Sequence, residues 1–198
     1  MDTVGRILAA ATAVFARAGY GGARIAEIAR EAGVNKAAIY YHVGGKEDLY
    51  RAVLRQAIGQ TTLYLDRLFA EATTPVEKIR VYVDTINRVI EENPHIPPIV
   101  IRELATGGEH LPQVIIEDVI KIIGRLKGVI EEGAAKGELY PVHPLLVHLM
   151  TAGTLALYRM VGTIVFPAFQ AYDLPSKEEI GEKVKEIVIR ALVRRDVG

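Results

Sequence analysis

Any chemistry in this chain has to come from histidines, basic groups and carboxylates, because its 198 residues contain no cysteine. Disulfide frameworks, thiolate metal sites and cysteine nucleophiles are therefore excluded. Of the five histidines, His95 and His110 fall in loop-like stretches. His143 and His148 are five residues apart near a helix start, so they do not share a face as an i, i+4 ligand pair would. No phosphate loop, dinucleotide fingerprint, nucleophile elbow or metalloprotease helix is found, and Gly107-Gly108 reads as a helix stop. The expectation is no catalytic site, no cofactor and no metal. The fifth histidine, His42, closes the one stretch whose spacing is informative, RIAEIAREAGVNKAAIYYH over Arg24–His42.

That stretch has the requirements of a helix-turn-helix. A small residue must sit where two helices cross, a turn residue must tolerate positive φ, and apolar residues must lock the pair. Ala29, Gly33 and Ile39 fall at those offsets, with Ile25, Ile28, Ala32 and Val34 completing a small core. Asn35 can cap the second helix. Lys36, Ala37, Ala38 and Tyr41 then face outward on a helix of the size that enters a DNA major groove. The same spacing also suits an ordinary pair of packed bundle helices.

Residues 1–50 resemble the DNA-binding domain of the tetracycline-repressor (TetR) family almost continuously, through FARAGY (Phe15–Tyr20) and IAREAGVNKAAIYYHVGGKEDLY (Ile28–Tyr50). The resemblance implies that Asn35, Lys36, Ala37, Ala38 and Tyr41 face base edges or the groove floor. It implies that Tyr40 and His42 clamp the sugar-phosphate backbone, and that Lys46 meets a phosphate at a helix N-terminus. Two positions depart from the pattern. Ala23 and Arg24 stand where Thr or Ser is frequent, so a helix cap is lost and Arg24 offers a charge to phosphate instead. Val43 replaces a usual aromatic. Lys36 is the main candidate for a guanine contact. The family further implies a homodimer, a palindromic double-stranded DNA operator, and a small apolar or amphipathic effector that releases a repressor.

The elements that must position these residues are helical. Apolar residues recur at steps of three and four along nearly the whole chain, so the fold is expected to be all-α with about nine helices. The pattern places helices near 3–18, 24–32, 35–42, 46–69, 75–92, 97–106, 112–136, 144–166 and 176–195. Pro75, Pro97-Pro98, Pro112 and Pro144 mark starts, and Ser176-Lys177-Glu178-Glu179 reads as a capping box. Residues 1–47 are expected to form a helix-turn-helix domain and 48–198 a helical effector-binding and dimerisation domain. Residues 1–55 carry eight Lys/Arg against five Asp/Glu, a net +3, and the remainder carries 16 against 19, a net −3. A basic front end on a neutral-to-acidic body fits nucleic-acid binding.

The run 144–166 is apolar nearly all round, with Leu145, Leu146, Leu149, Met150, Leu155, Leu157, Met160, Val161, Ile164 and Phe166. His148, Arg159 and several Thr and Gly interrupt it, so it reads as a buried helix serving pocket and partner subunit, not a membrane span. A cytoplasmic location is the default. A largely apolar pocket is expected among the helices at 76–92, 98–106, 112–136 and 144–166, with Ile86, Leu104, Ile122, Met150, Leu155 and Tyr158 as lining candidates. Arg102 and Arg159 are the candidates for an anionic group, although Tyr158 and Arg159 read equally as core hydrogen-bonding residues.

Overall fold

The computed structural model describes residues 2–165, 174–176 and 178–194. Phe166 and Lys177, and the side chain of Ile164, lie outside the described residues. The helices are α1 (Thr3–Gly22), α2 (Ile25–Ala32), α3 (Lys36–His42), α4 (Lys46–Glu71), α5 (Pro75–Glu92), α6 (Ile96–Ala105), α7 (Gln113–Ala135), α8 (Pro144–His148), α9 (Thr154–Val165) and α10 (Glu179–Leu192). A single π turn, Leu149–Gly153, joins α8 to α9, so 144–165 is one continuous helix and nine helices stand among the described residues. The only extended pairing among them is an isolated bridge between Leu139 and Val193.

Local chemistry sets the boundaries. Asp2 accepts the Gly5 amide at 2.8 Å and caps α1. Gly19 takes the non-helical φ +69, ψ +177, which breaks the regular helix of α1 and leaves a short final turn to Gly22. Thr74 Oγ1 accepts the Glu77 amide at 3.1 Å while Glu77 reaches back to the Thr73 and Thr74 amides, a reciprocal cap at the start of α5. Ser176 and Glu179 form the corresponding box before α10, at 3.1 and 2.8 Å.

The chain packs as two units, Met1–Gln60 with Asn93–Glu117, and Thr61–Glu92 with Asp118–Gly198. In the first unit α1, α2, α3, the first half of α4 and α6 enclose one apolar cluster. It includes Ile7, Phe15, Ile28, Ile39, Leu49, Tyr50, Leu54 and Ile99. In the second unit Ile79, Tyr82, Val83, Leu126, Leu155, Val184 and Val188 are buried. The face Ile180, Val184, Val188 and Leu192 of α10 is spent inside the chain, while Ile187 of the same helix is exposed.

The helix over 144–165 differs from a helix buried on all sides. Val147, Leu155 and Ala156 are buried, but Leu145, Leu146, Leu149, Met150, Leu157 and Val161 are exposed. By length and composition Pro144–Gly162 is apolar enough to cross a membrane, so the polar interruptions weigh less than the sequence suggests. It instead packs one side within the second unit, beside α5 and α10.

That unit contains a part-buried polar pair at the edge of its core. The Tyr82 hydroxyl lies 2.6 Å from His148 Nδ1. Burial pushes the Tyr82 phenol up and His148 down from its ordinary 6.5. The unfolded chain therefore binds a proton at His148 that the folded one resists. Stability is unaffected by this group above about pH 6.5, falls as the pH drops below it, and the loss is complete below the folded-state pKa. Denaturant unfolding of the wild type and of His148→Gln between pH 7.5 and about 5.5 is expected to show a steeper loss for the wild type. Parallel curves would contradict this origin.

Candidate nucleic-acid interface

The interface is built from two short helices. Ile28, Ala29 and Ala32 of α2 and Ile39 of α3 are buried, and these four lock the pair together. Gly33 takes φ +65, ψ +37. Its amide donates to the Arg30 carbonyl at 3.2 Å and that of Val34 donates to the Ala29 carbonyl at 3.0 Å. These are the two bonds of a Schellman turn, and they fix the exit direction from α2. Any side chain at position 33 would be strained at that φ. Asn35 Oδ1 then accepts the Ala38 amide at 2.8 Å and starts α3.

The outer face of α3 is the one expected. Lys36, Ala37, Tyr40, Tyr41 and His42 are exposed, Tyr41 most of all at 86%. Ala38 is half-buried, and its amide serves the cap. Tyr41 and His42 meet edge to face, with ring centroids 5.0 Å apart. Arg24 is exposed at the start of α2 and makes no side-chain cap, as its replacement of a hydroxyl residue implies. Val43 is half-buried against the core cluster, so an aliphatic side chain fills that position here. Lys46 opens α4, with Nζ donating to the Gly21 carbonyl at 3.3 Å and lying 4.6 Å from the Tyr20 ring centroid.

Residues not assigned to DNA contact in the sequence support this surface. Arg17 bridges from α1 to Glu27 and Glu31 of α2 at 2.6 and 2.7 Å. Arg102 of α6 donates to the Arg17 carbonyl at 3.0 Å and lies against Gly19, where a Cβ would come within 2.8 Å of Arg102 Cδ. Tyr20, Tyr50, Glu103 and His110 form an aromatic and hydrogen-bonded cluster. Burial, followed by the Glu103 carboxylate, pushes the Tyr50 phenol up. The only sequence signal for this group was aromatic residues at Phe15, Tyr20 and Tyr50; pairing with residues almost ninety positions away left none.

The expected effector-lining residues fall on several helices. Ile86, Ile122 and Leu155 are buried in the second unit, while Met150 there is 46% exposed. Tyr158 donates its hydroxyl to the Pro175 carbonyl. Arg159 donates to Asn87 Oδ1 at 3.0 Å and to Glu91 Oε1 at 2.6 Å. Arg102 and Leu104 are placed apart from these in sequence, on another helix. They belong to α6 in the first unit, where Pro97, Ile99 and Glu103 form the buried face. That packing leaves Leu104 60% exposed and commits Arg102 to α1. Among the histidines, His143 Nδ1 accepts the Leu145 amide at 3.2 Å, an N-cap for α8.

Comparison with known proteins agrees with this geometry. Residues 7–53 match the family model for bacterial regulatory proteins of the tetR family, and residues 75–191 match a tetracyclin repressor-like C-terminal domain. The transcriptional regulator RutR of Escherichia coli K12 is 30% identical over 149 residues, covering 75% of this chain and 70% of its own. The solved structure of HlyIIR, a hemolysin II transcriptional regulator, is 26% identical, covers 98% of both chains and superposes with a TM-score of 0.64. The structure of FadR from Bacillus subtilis in complex with stearoyl-CoA shares the fold, with a TM-score of 0.72 at 23% identity over 95% of this chain and 98% of its own. With a helix-turn-helix whose reading face is open and both family models matched in order, the chain belongs to the TetR family of helix-turn-helix transcriptional regulators.

Proposed function

We propose that this regulator binds a palindromic operator as a homodimer and is released from it by a small apolar or amphipathic molecule. Residues 1–47 act as the DNA-binding domain and 48–198 as the effector-binding and dimerisation domain, in a protein that works in the cytoplasm beside the chromosome and catalyses no reaction. The single observation that carries the DNA reading is the outer face of α3. Five exposed side chains, Lys36, Ala37, Tyr40, Tyr41 and His42, project from a helix whose other face is locked into the core. Lys36 reads a base edge, Arg24, Tyr40, His42 and Lys46 grip the backbone, and Asn35, Ala37, Ala38 and Tyr41 line the groove contact.

The effector class rests on composition and relatives. The buried residues of the second unit are mostly aliphatic. Relatives include a fatty acid metabolism regulator of Bacillus subtilis and the FadR complex with stearoyl-CoA. An acyl chain or another largely apolar body suits such a core. Ile86, Ile122, Met150, Leu155, Tyr158 and Arg159 remain the candidate lining in that unit.

The dimer reading rests on Leu145, Leu146, Leu149, Met150, Leu157 and Val161, exposed along one helix. A contiguous apolar strip of that kind is unusual on a monomer. In sedimentation at micromolar concentration the wild type is expected at twice 21.7 kDa. Leu149→Glu combined with Val161→Glu is expected to shift it to the monomer, and a wild type that already sediments as a monomer would overturn the dimer.

The DNA reading is tested on an operator selected from random duplexes. Lys46→Ala should weaken binding to all variants alike and flatten the log-affinity against log-salt slope by about one. Lys36→Ala should instead relax preference at one base position, a discrimination worth about 1–3 kcal/mol. Equal weakening of every operator variant by Lys36→Ala would remove its base-reading role.

A further inference from the structure

Lys46 is held in place from outside its own helix. A lysine at a helix start has four rotatable bonds and no intrinsic reason to point one way. Here its ammonium donates to the Gly21 carbonyl at 3.3 Å and sits over the Tyr20 ring, 4.6 Å from the centroid, within cation–π range. The ring is itself fixed. It meets Tyr50 edge to face at 5.0 Å, lies parallel to Phe15 at 6.3 Å, and stacks on the His110 imidazole at 4.4 Å.

His110 belongs to the connection between α6 and α7, and its position is set by Glu103. The His110 amide donates to Glu103 Oε1 at 2.6 Å, and Nδ1 stands 3.3 Å from the same oxygen. A carboxylate only accepts, so this contact puts the Nδ1 proton toward Glu103. Glu103 is 4% exposed, and a carboxylate so buried is costly without such donors. The loop is thus committed to holding His110 against Tyr20. All of these residues belong to the first unit.

We propose that Tyr20 is a positioning residue for the phosphate contact of Lys46, and that the His110–Glu103 pair holds Tyr20 in that role. The connection between α6 and α7 then controls DNA affinity without touching DNA. Withdrawing His110 removes one of the three rings packed on Tyr20, and so loosens one of the two supports of the Lys46 ammonium. The inference rests on the reading of Lys46 as a phosphate ligand given above.

The test is a double-mutant cycle on operator binding, with salt dependence as the readout. Lys46→Ala should flatten the salt slope by about one. Tyr20→Leu should flatten it in the same direction, Tyr20→Phe should behave as wild type because the ring remains, and His110→Ala should reproduce part of the Tyr20→Leu effect. In the Lys46→Ala background, Tyr20→Leu and His110→Ala should each change affinity by less than about twofold, because their effect passes through the missing ammonium. Additive losses in those double variants would show that Tyr20 and His110 only support the fold, and would overturn the proposal while leaving the phosphate reading intact. A Lys46→Ala slope equal to wild type would remove the phosphate reading and the proposal with it. If Tyr20→Leu fails to give a cooperative thermal transition, the His110→Ala arm of the cycle decides alone.

Discussion

The DNA-reading surface depends on one constraint: α3 has seven residues and cannot be a stable helix by itself. Helices shorter than about 12 residues are marginal in water. This one exists because Ile39 is fully buried, because Asn35 supplies the first hydrogen bond, and because Gly33 turns the chain through a left-handed residue. Loss of any one would displace the outer face of α3 rather than merely loosen it. The burial of Ile39 in turn requires α1 and the start of α4, which complete the same apolar cluster.

The connection of α6 to that cluster gives the molecule its organisation. Ile99 and Ile115 complete a core that begins at Ile7, so residues nearly a hundred positions downstream share the interior of the reading head. Arg102, Glu103 and His110 add polar contacts from the same segment to Arg17 and Tyr20. The residues of α4 and of α7 are divided between the two units. In the second unit the partly exposed pair Lys78–Glu132 spans α5 and α7 at 2.8 Å, and the part-buried Tyr82–His148 contact ties α5 to α8.

What was legible in the sequence was local. Gly33, Asn35, Pro75 and the Ser176–Glu179 box act within three or four residues, and each does in the structure what its residue type dictates. The reading helix was legible because Ile39 is the single buried position in a run of exposed ones. Long-range choices were not. Periodicity marked α6 as amphipathic but could not say that its buried face packs against α1 or that Arg102 donates to the Arg17 carbonyl. The apolar strip along 144–161 and its excess over what one chain buries were visible, yet which of its residues stay exposed was not, because composition does not say which side packs within the chain. The π turn at Leu149–Gly153 has no sequence signal that we can name.

The central claim is that two copies of this reading head grip successive major grooves. Hydroxyl-radical footprinting on the selected operator tests it most directly. The account predicts two protected patches on each strand, related by two-fold symmetry and centred about 10 base pairs, or a small multiple of that, apart. A single asymmetric patch, or uniform protection without a phased pattern, would contradict it.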